Sequence, residues 1–136
     1  MWNIRCYSAS SGKNEVQGTY DKGTDDLRAG LSVALEYLRM QDRQDWARPK
    51  AARLDKNKTF RDYYEIRFKA GNLQQRPIGY FGPGSNDFTI LIWATEKGNK
   101  LLPPTWFDIA ERRRKQIESG ECDAPFLILE EDEAPE

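Results

Sequence analysis

Hydrophobic and polar residues alternate from the start of the chain. Trp2, Ile4 and Cys6 fall on one side and Asn3, Arg5 and Tyr7 on the other, the period of a half-buried strand. Residues 8–23 are polar and read as a loop. Thr24 then offers a side-chain oxygen to a helix start, and Asp25 and Asp26 suit the positive end of its dipole. Leu27, Leu31, Ala34, Leu35 and Leu38 recur at helical spacing, so one long amphipathic helix is expected to about residue 41. Residues 42–46 should add a short helical turn, stopped ahead of Pro49.

Three strand-like runs follow. Residues 63–70 alternate, with Tyr64, Ile66 and Phe68 on one face and Glu65, Arg67 and Lys69 on the other. Gly71-Asn72 tolerates the positive φ of a tight turn. Residues 74–81 lead into Gly82-Pro83-Gly84, a second turn signal. Residues 88–95 are apolar on both faces, as in a central strand covered on both sides. Pro103-Pro104 opens a second helix to about Ser119, with a narrow stripe of Trp106, Ile109, Ala110 and Ile117. The cluster 125–129 must pack somewhere, and an edge strand would do it. The pattern predicts an α+β domain over residues 1–118 with a mostly antiparallel sheet of three to five strands. It has an N-terminal strand, one long N-terminal helix and one C-terminal helix. Residues 119–136 form an acidic C-terminal tail.

Composition narrows the setting. No apolar run approaches the ~20 residues that cross a bilayer, and the N-terminus lacks a signal-like stretch, so a cytoplasmic protein without membrane association is expected. Cys6 and Cys122 match no metal spacing, and Cys6 reads as a buried thiol. The chain has no histidine, which removes the commonest general base and zinc ligand; neither a metal nor a small-molecule cofactor is expected.

A net charge of −1 conceals two opposed blocks. Residues 43–118 carry sixteen Lys/Arg against nine Asp/Glu, whereas residues 119–136 carry seven acids and no base. The basic block suggests a polyanionic partner. The tail is either a solvated arm or an internal competitor for the same cations. Arg112-Arg113-Arg114-Lys115 adds less than it promises, because four successive helical residues point around most of the helix.

In the meander, Arg67, Lys69, Arg76, Lys97 and Lys100 come near one sheet surface, with Glu65 and Glu96 among them. Tyr80 and Trp93 are either core or platforms for bases, and cations interleaved with aromatics suit single-stranded nucleic acid. Arg67, Arg76 and Lys97 are expected to be solvent-accessible, on one surface and free of buried ion pairs. Replacing either arginine should then cost under ~0.5 kcal/mol of stability.

The motifs Tyr64-Glu65-Ile66-Arg67-Phe68-Lys69, Gln75-Arg76-Pro77-Ile78-Gly79-Tyr80-Phe81, Phe88 with Ala94-Thr95-Glu96-Lys97-Gly98, and Ile109-Ala110-Glu111-Arg112-Arg113-Arg114 stand in this order. Together they resemble the phage-derived HigB-like branch of the RelE/HigB-like type II toxin superfamily. The likeness spans about residues 60–118, with a similar layout over 1–50. It implies a compact RelE-like α+β toxin that enters the ribosome, cuts mRNA there as an endoribonuclease, and is held inactive by a cognate antitoxin protein. By the same likeness Arg67 contacts mRNA phosphate, Arg76 meets transition-state charge, and Lys97 is the basic residue closing the third strand. Lys69, Lys100 and Tyr80 are the RNA-binding candidates beside them. Glu65 departs from RelE, which has lysine at that strand position, and the histidines of HigB-type members have no counterpart here.

The chemistry is feasible without histidine. Glu65, Glu96 or a lysine of lowered pKa could take the ribose 2′-OH proton, while Arg67 and Arg76 stabilise the phosphorane. A second reading keeps the fold and loses the reaction, leaving a non-catalytic RNA- or protein-binding accessory protein. A third is an interaction domain with no nucleic-acid role.

Overall fold

The apolar alternation resolves into one mixed seven-stranded sheet in the computed structural model, which describes residues 1–54 and 62–129. In chain order the elements are β1 (Asn3–Cys6), α1 (Glu15–Asp21), α2 (Asp25–Leu38), a 3-10 turn (Arg43–Asp45), β2 (Ala51–Leu54), β3 (Tyr63–Ile66), β4 (Phe68–Ala70), β5 (Leu73–Phe81), β6 (Asp87–Lys97), β7 (Lys100–Leu102) and α3 (Trp106–Glu118). The strand order is β1-β6-β5-β3-β2, with β4 also on β5 and β7 also on β6. Only β1 and β6 pair in parallel. The architecture is α+β, with three α-helices among the described residues.

Several elements form for the reasons read from the sequence. Thr24 caps α2, its hydroxyl accepting from the Leu27 N–H at 3.2 Å. Leu31, Ala34, Leu35 and Leu38 bury one face of that helix. Each fully buried leucine is worth roughly 1.5–3 kcal/mol by area. Gly71 and Asn72 both adopt positive φ, at 62° and 61°, and close the β4–β5 hairpin. Apolar β6 is covered by α1 and α2 on one face and by α3 on the other, which accounts for its burial on both.

Other elements depart from expectation. The stretch 8–23 contains α1, capped by Asn14, whose side chain accepts from the Gln17 N–H at 3.0 Å. The N-terminal helical region is therefore two helices rather than one. The run 63–70 breaks at Arg67 into β3 and β4, and the Arg67 N–H bonds the Lys50 carbonyl at 2.7 Å. β2 and β7 raise the sheet from the expected three to five strands to seven. β7 follows from Gly98 and Asn99, both at positive φ, which repeat the chemistry of the first hairpin turn.

The sheet is covered on both faces. Ile4, Cys6, Tyr64, Ile66, Phe88 and Ile90 pack with α1 and α2. Tyr63, Ile78, Tyr80, Ile92 and Ala94 pack with α3 on the other side. β6 alternates into both clusters, and a bulge at Leu91 interrupts its pairing: Gly79 faces Ile90, but Ile78 faces Ile92. Gly79 is required there, since a Cβ would sit 2.1 Å from the Thr89 carbonyl oxygen. The carbonyl of Leu91 is taken up by Arg113 Nη1 at 3.0 Å.

The 125–129 cluster packs beside β1 but forms no edge strand, only one isolated antiparallel bridge between Phe126 and Arg5. Cys6 N–H bonds the Pro125 carbonyl and Leu127 N–H bonds the Ile4 carbonyl, both at 2.9 Å. Leu127 and Leu129 join the core beneath α2. Glu130, Glu131, Asp132, Glu133 and Glu136, on which the competitor reading of the tail depends, lie outside the described residues.

Candidate functional site

On the α3 side of the sheet, strand register brings four charged residues into one network. Glu65 of β3 and Arg76 of β5 point to this face with Tyr63 and Ile78, and Glu96 of β6 lies opposite Gln74. Arg76 Nε donates to Glu96 Oε1 at 2.9 Å and stands 4.0 Å from Glu65 Oε2. Its other nitrogens donate to the Gln75 carbonyl at 2.9 Å and to Gln74 Oε1 at 3.2 Å. Arg67 Nη1 donates to the same Glu65 oxygen. Two guanidiniums and two carboxylates thus form one formally neutral quartet.

Burial decides what this quartet can do. Arg76 is 3% exposed and Glu65 5% exposed. Isolated ions at that depth cost several kcal/mol each, so the mutual pairing is what permits them. Burial pushes the Glu65 carboxyl above its ordinary value, and the Arg67 and Arg76 guanidiniums only partly oppose the shift. A carboxyl so raised holds a proton more readily than a surface glutamate, as a general base must. Arg67 is the more accessible guanidinium, its side chain 17% exposed against 4% for Arg76.

The expectation of free, accessible arginines is therefore corrected. Arg76 is buried in an ion-pair network, because its strand lies between β3 and β6 and its side chain points under the α3 face. Arg67 shares the same carboxylate. Lys97 does not join them: it faces Lys100 across the β6–β7 hairpin, and alternation from Glu96 turns both lysines to the opposite side of the sheet. Lys69, Lys97 and Lys100 are all exposed, but only Lys69 shares the quartet's face, through its pairing with Gln74.

The aromatic candidates are spoken for. Tyr80 is 2% exposed, and the Arg114 guanidinium lies over its ring at 4.5 Å, so neither face is open to a base. Burial pushes its phenol up to about 12, which keeps it protonated. Trp93 points to the α2 face, donates its indole N–H to Gln75 Oε1 at 2.8 Å and meets Phe68 edge-on. In the 112–115 run, Arg112 and Lys115 are exposed, while Arg113 and Arg114 are engaged by Glu15 and Glu118 at 2.9 and 3.2 Å. The bulge-capping role of Arg113 leaves no signal in sequence, because it depends on where the β6 ladder slips.

Comparisons with protein-family models, with curated proteins and with solved structures find no match to this chain. Among the described residues, no helix is long and apolar enough to cross a membrane, and no cluster of His, Cys, Asp or Glu could hold a metal ion.

Proposed function

We propose that the chain is the toxin of a toxin–antitoxin pair, a ribosome-dependent mRNA endoribonuclease of RelE-like fold acting in the cytoplasm. One observation carries this reading: a buried carboxylate of raised pKa, Glu65, sits between two guanidiniums on a sheet face that also presents Lys69. RNA cleavage of this kind needs a group to take the 2′-OH proton, fixed positive charge for the phosphorane, and a cationic N–H to give a proton to the departing 5′-oxygen as its bond to phosphorus breaks, a part open to Lys69. Glu65 is the base and Arg67 the phosphate ligand. Arg76 is a positioning residue that bridges Glu65 and Glu96. Lys69 contributes a phosphate contact. The ribosome supplies much of the substrate's positioning, so a small intrinsic site suffices. The cognate antitoxin is the partner that silences it.

One observation favours the second reading, a non-catalytic RNA- or protein-binding accessory protein. Arg76 is inaccessible, and the quartet's charges cancel within the fold. Induction in growing bacteria separates the two. Translation arrest with mRNA cut at ribosomes supports the toxin, and Glu65→Gln should abolish the cuts. Arrest with intact mRNA selects the accessory reading. Unaffected growth removes the toxin reading altogether.

A further inference from the structure

Eight large apolar side chains are exposed among the described residues; Leu73 and Leu102 sit at the two hairpins, and four of the others gather at α2 and the N-terminus. Val33 and Tyr37 lie on the outer side of α2 and Met40 two residues past its end, at 55%, 48% and 68% exposure. Met1 lies beside them at 79%, and Leu129 borders them, whereas Phe126 and Ile128 alternate to the other side of the sheet, Phe126 under the Arg5 guanidinium at 4.3 Å. Two grooves of about 600 and 630 Å³ run through this region and share Arg39 and Leu129, so the surface is continuous. Apolar side chains contiguous on this scale mark an interface more often than a solvated surface.

The charges inside the surface indicate which partner it fits. Glu36 and Arg39 both line the groove between Val33 and Met40, one helical turn apart and opposite in sign. Arg39 spends its Nε on the Trp2 carbonyl at 3.2 Å, and neither residue makes an ion pair among the described residues. A heterologous partner would need a matching pair of its own. A second copy already has one. A two-fold axis between Glu36 and Arg39 sets α2 antiparallel to its mate. Glu36 then meets the mate's Arg39 and Arg39 the mate's Glu36, with Val33 and Met40 of each copy flanking the two pairs. Self-complementarity of this kind is the defining property of an isologous dimer contact.

We infer that the chain forms a homodimer through the outer face of α2 and the Met1 and Leu129 edge beside it. The quartet lies on the opposite face of the sheet, so this contact leaves it uncovered and the inference does not depend on the proposed catalysis.

Sedimentation of the full chain over a range of concentrations tests it. The parent should run at twice the chain mass in the micromolar range. Met40→Glu should shift the midpoint for dissociation at least tenfold, with unchanged far-ultraviolet circular dichroism. Glu36→Arg alone should weaken the dimer by placing arginine against arginine, and Glu36→Arg with Arg39→Glu should restore it. A monomer at every concentration overturns the inference, whether residues 130–136 or a different protein occupies the surface. A dimer that Met40→Glu leaves intact overturns it equally, as does a double variant no tighter than Glu36→Arg alone.

Discussion

The two faces of the sheet solve the burial problem in different ways. Under α2 the interior is almost wholly apolar, with Leu31, Leu35, Leu38, Ile66 and Ile90 each 0% exposed. Under α3 the layer begins the same way, with Ile78, Leu91 and Ala94, and then gives way to Glu65, Arg76 and Glu96 toward the two hairpins. Losing a contact in an apolar layer costs packing but strands no charge. In an ionic one, removing one member strands a charge where water cannot reach it. The α3 face therefore concentrates the fold's vulnerability in these charged residues.

The largest effect should come from splitting the quartet. Arg76→Ala leaves Glu65 and Glu96 without their shared partner and should cost about 3–5 kcal/mol. That is well beyond the ~0.5 kcal/mol expected were the residue exposed. Combining Arg76→Met with Glu65→Gln and Glu96→Gln should recover much of the loss. Urea denaturation reads both, and a triple variant no more stable than Arg76→Ala would break the contrast between the faces. On the apolar face, Leu35→Ala should cost about 3 kcal/mol through the cavity it leaves, and by the same amount at every pH where the protein is folded.

Titration should separate two carboxylates of opposite behaviour. Glu65 has a folded pKa raised above its ordinary value of 4.5, so the folded chain holds this proton more tightly than the unfolded one. Stability should therefore fall as pH rises from about 4.5 through the folded value, and the Glu65→Gln profile should lack that fall. Asp87 works the other way. Burial alone would raise it, but hydrogen bonds from Arg5, Asn3 and the Gly84 N–H together hold it below its ordinary value of 3.8. Its stabilisation is present above that value and lost as pH falls through the depressed one, so Asp87→Asn should flatten the acid limb. Thermal melts from pH 3 to 8 show both slopes, and a parent curve that is flat above pH 4.5 would sink the assignment for Glu65.

The smallest effect on stability belongs to Lys69, exposed on the quartet's face. Lys69→Ala should change folding by under ~0.5 kcal/mol while lowering RNA affinity and reducing its salt dependence by about one phosphate contact. Equal affinity for parent and variant would remove RNA from this face.

The sequence made the elements legible and the packing of charges much less so. Period-two alternation placed Glu65 and Lys69 opposite Tyr64, Ile66 and Phe68, and the structure keeps that division. Thr24, Gly71-Asn72 and the apolar β6 were equally plain, since each depends only on neighbours in the chain. The helix α1 was hidden because its apolar face amounts to Val16 and Tyr20, too few to show a period. Whether Arg76 faced water was beyond local pattern. An arginine on a strand reads the same whether its partners are phosphates or Glu65 and Glu96, and strand order decides between them.

The bulge at Leu91 sets the side of everything after it. Ile90 faces the α2 layer, Leu91 and Ile92 both face the α3 layer, and alternation resumes from there. Were β6 to run through Leu91 without the slip, every side chain from 92 to 97 would change sides. Glu96 would leave Arg76 and turn toward the α2 layer, Ile92 and Ala94 would leave the α3 cluster, and Lys97 would turn to the face of the two arginines. Deleting Leu91 has no such effect: Ile78 keeps Ile92 opposite it, Glu96 stays with Arg76, and only the carbonyl that Arg113 holds is lost. How the strand absorbs one extra residue, more than the choice of residues after it, decides which charge meets the arginines.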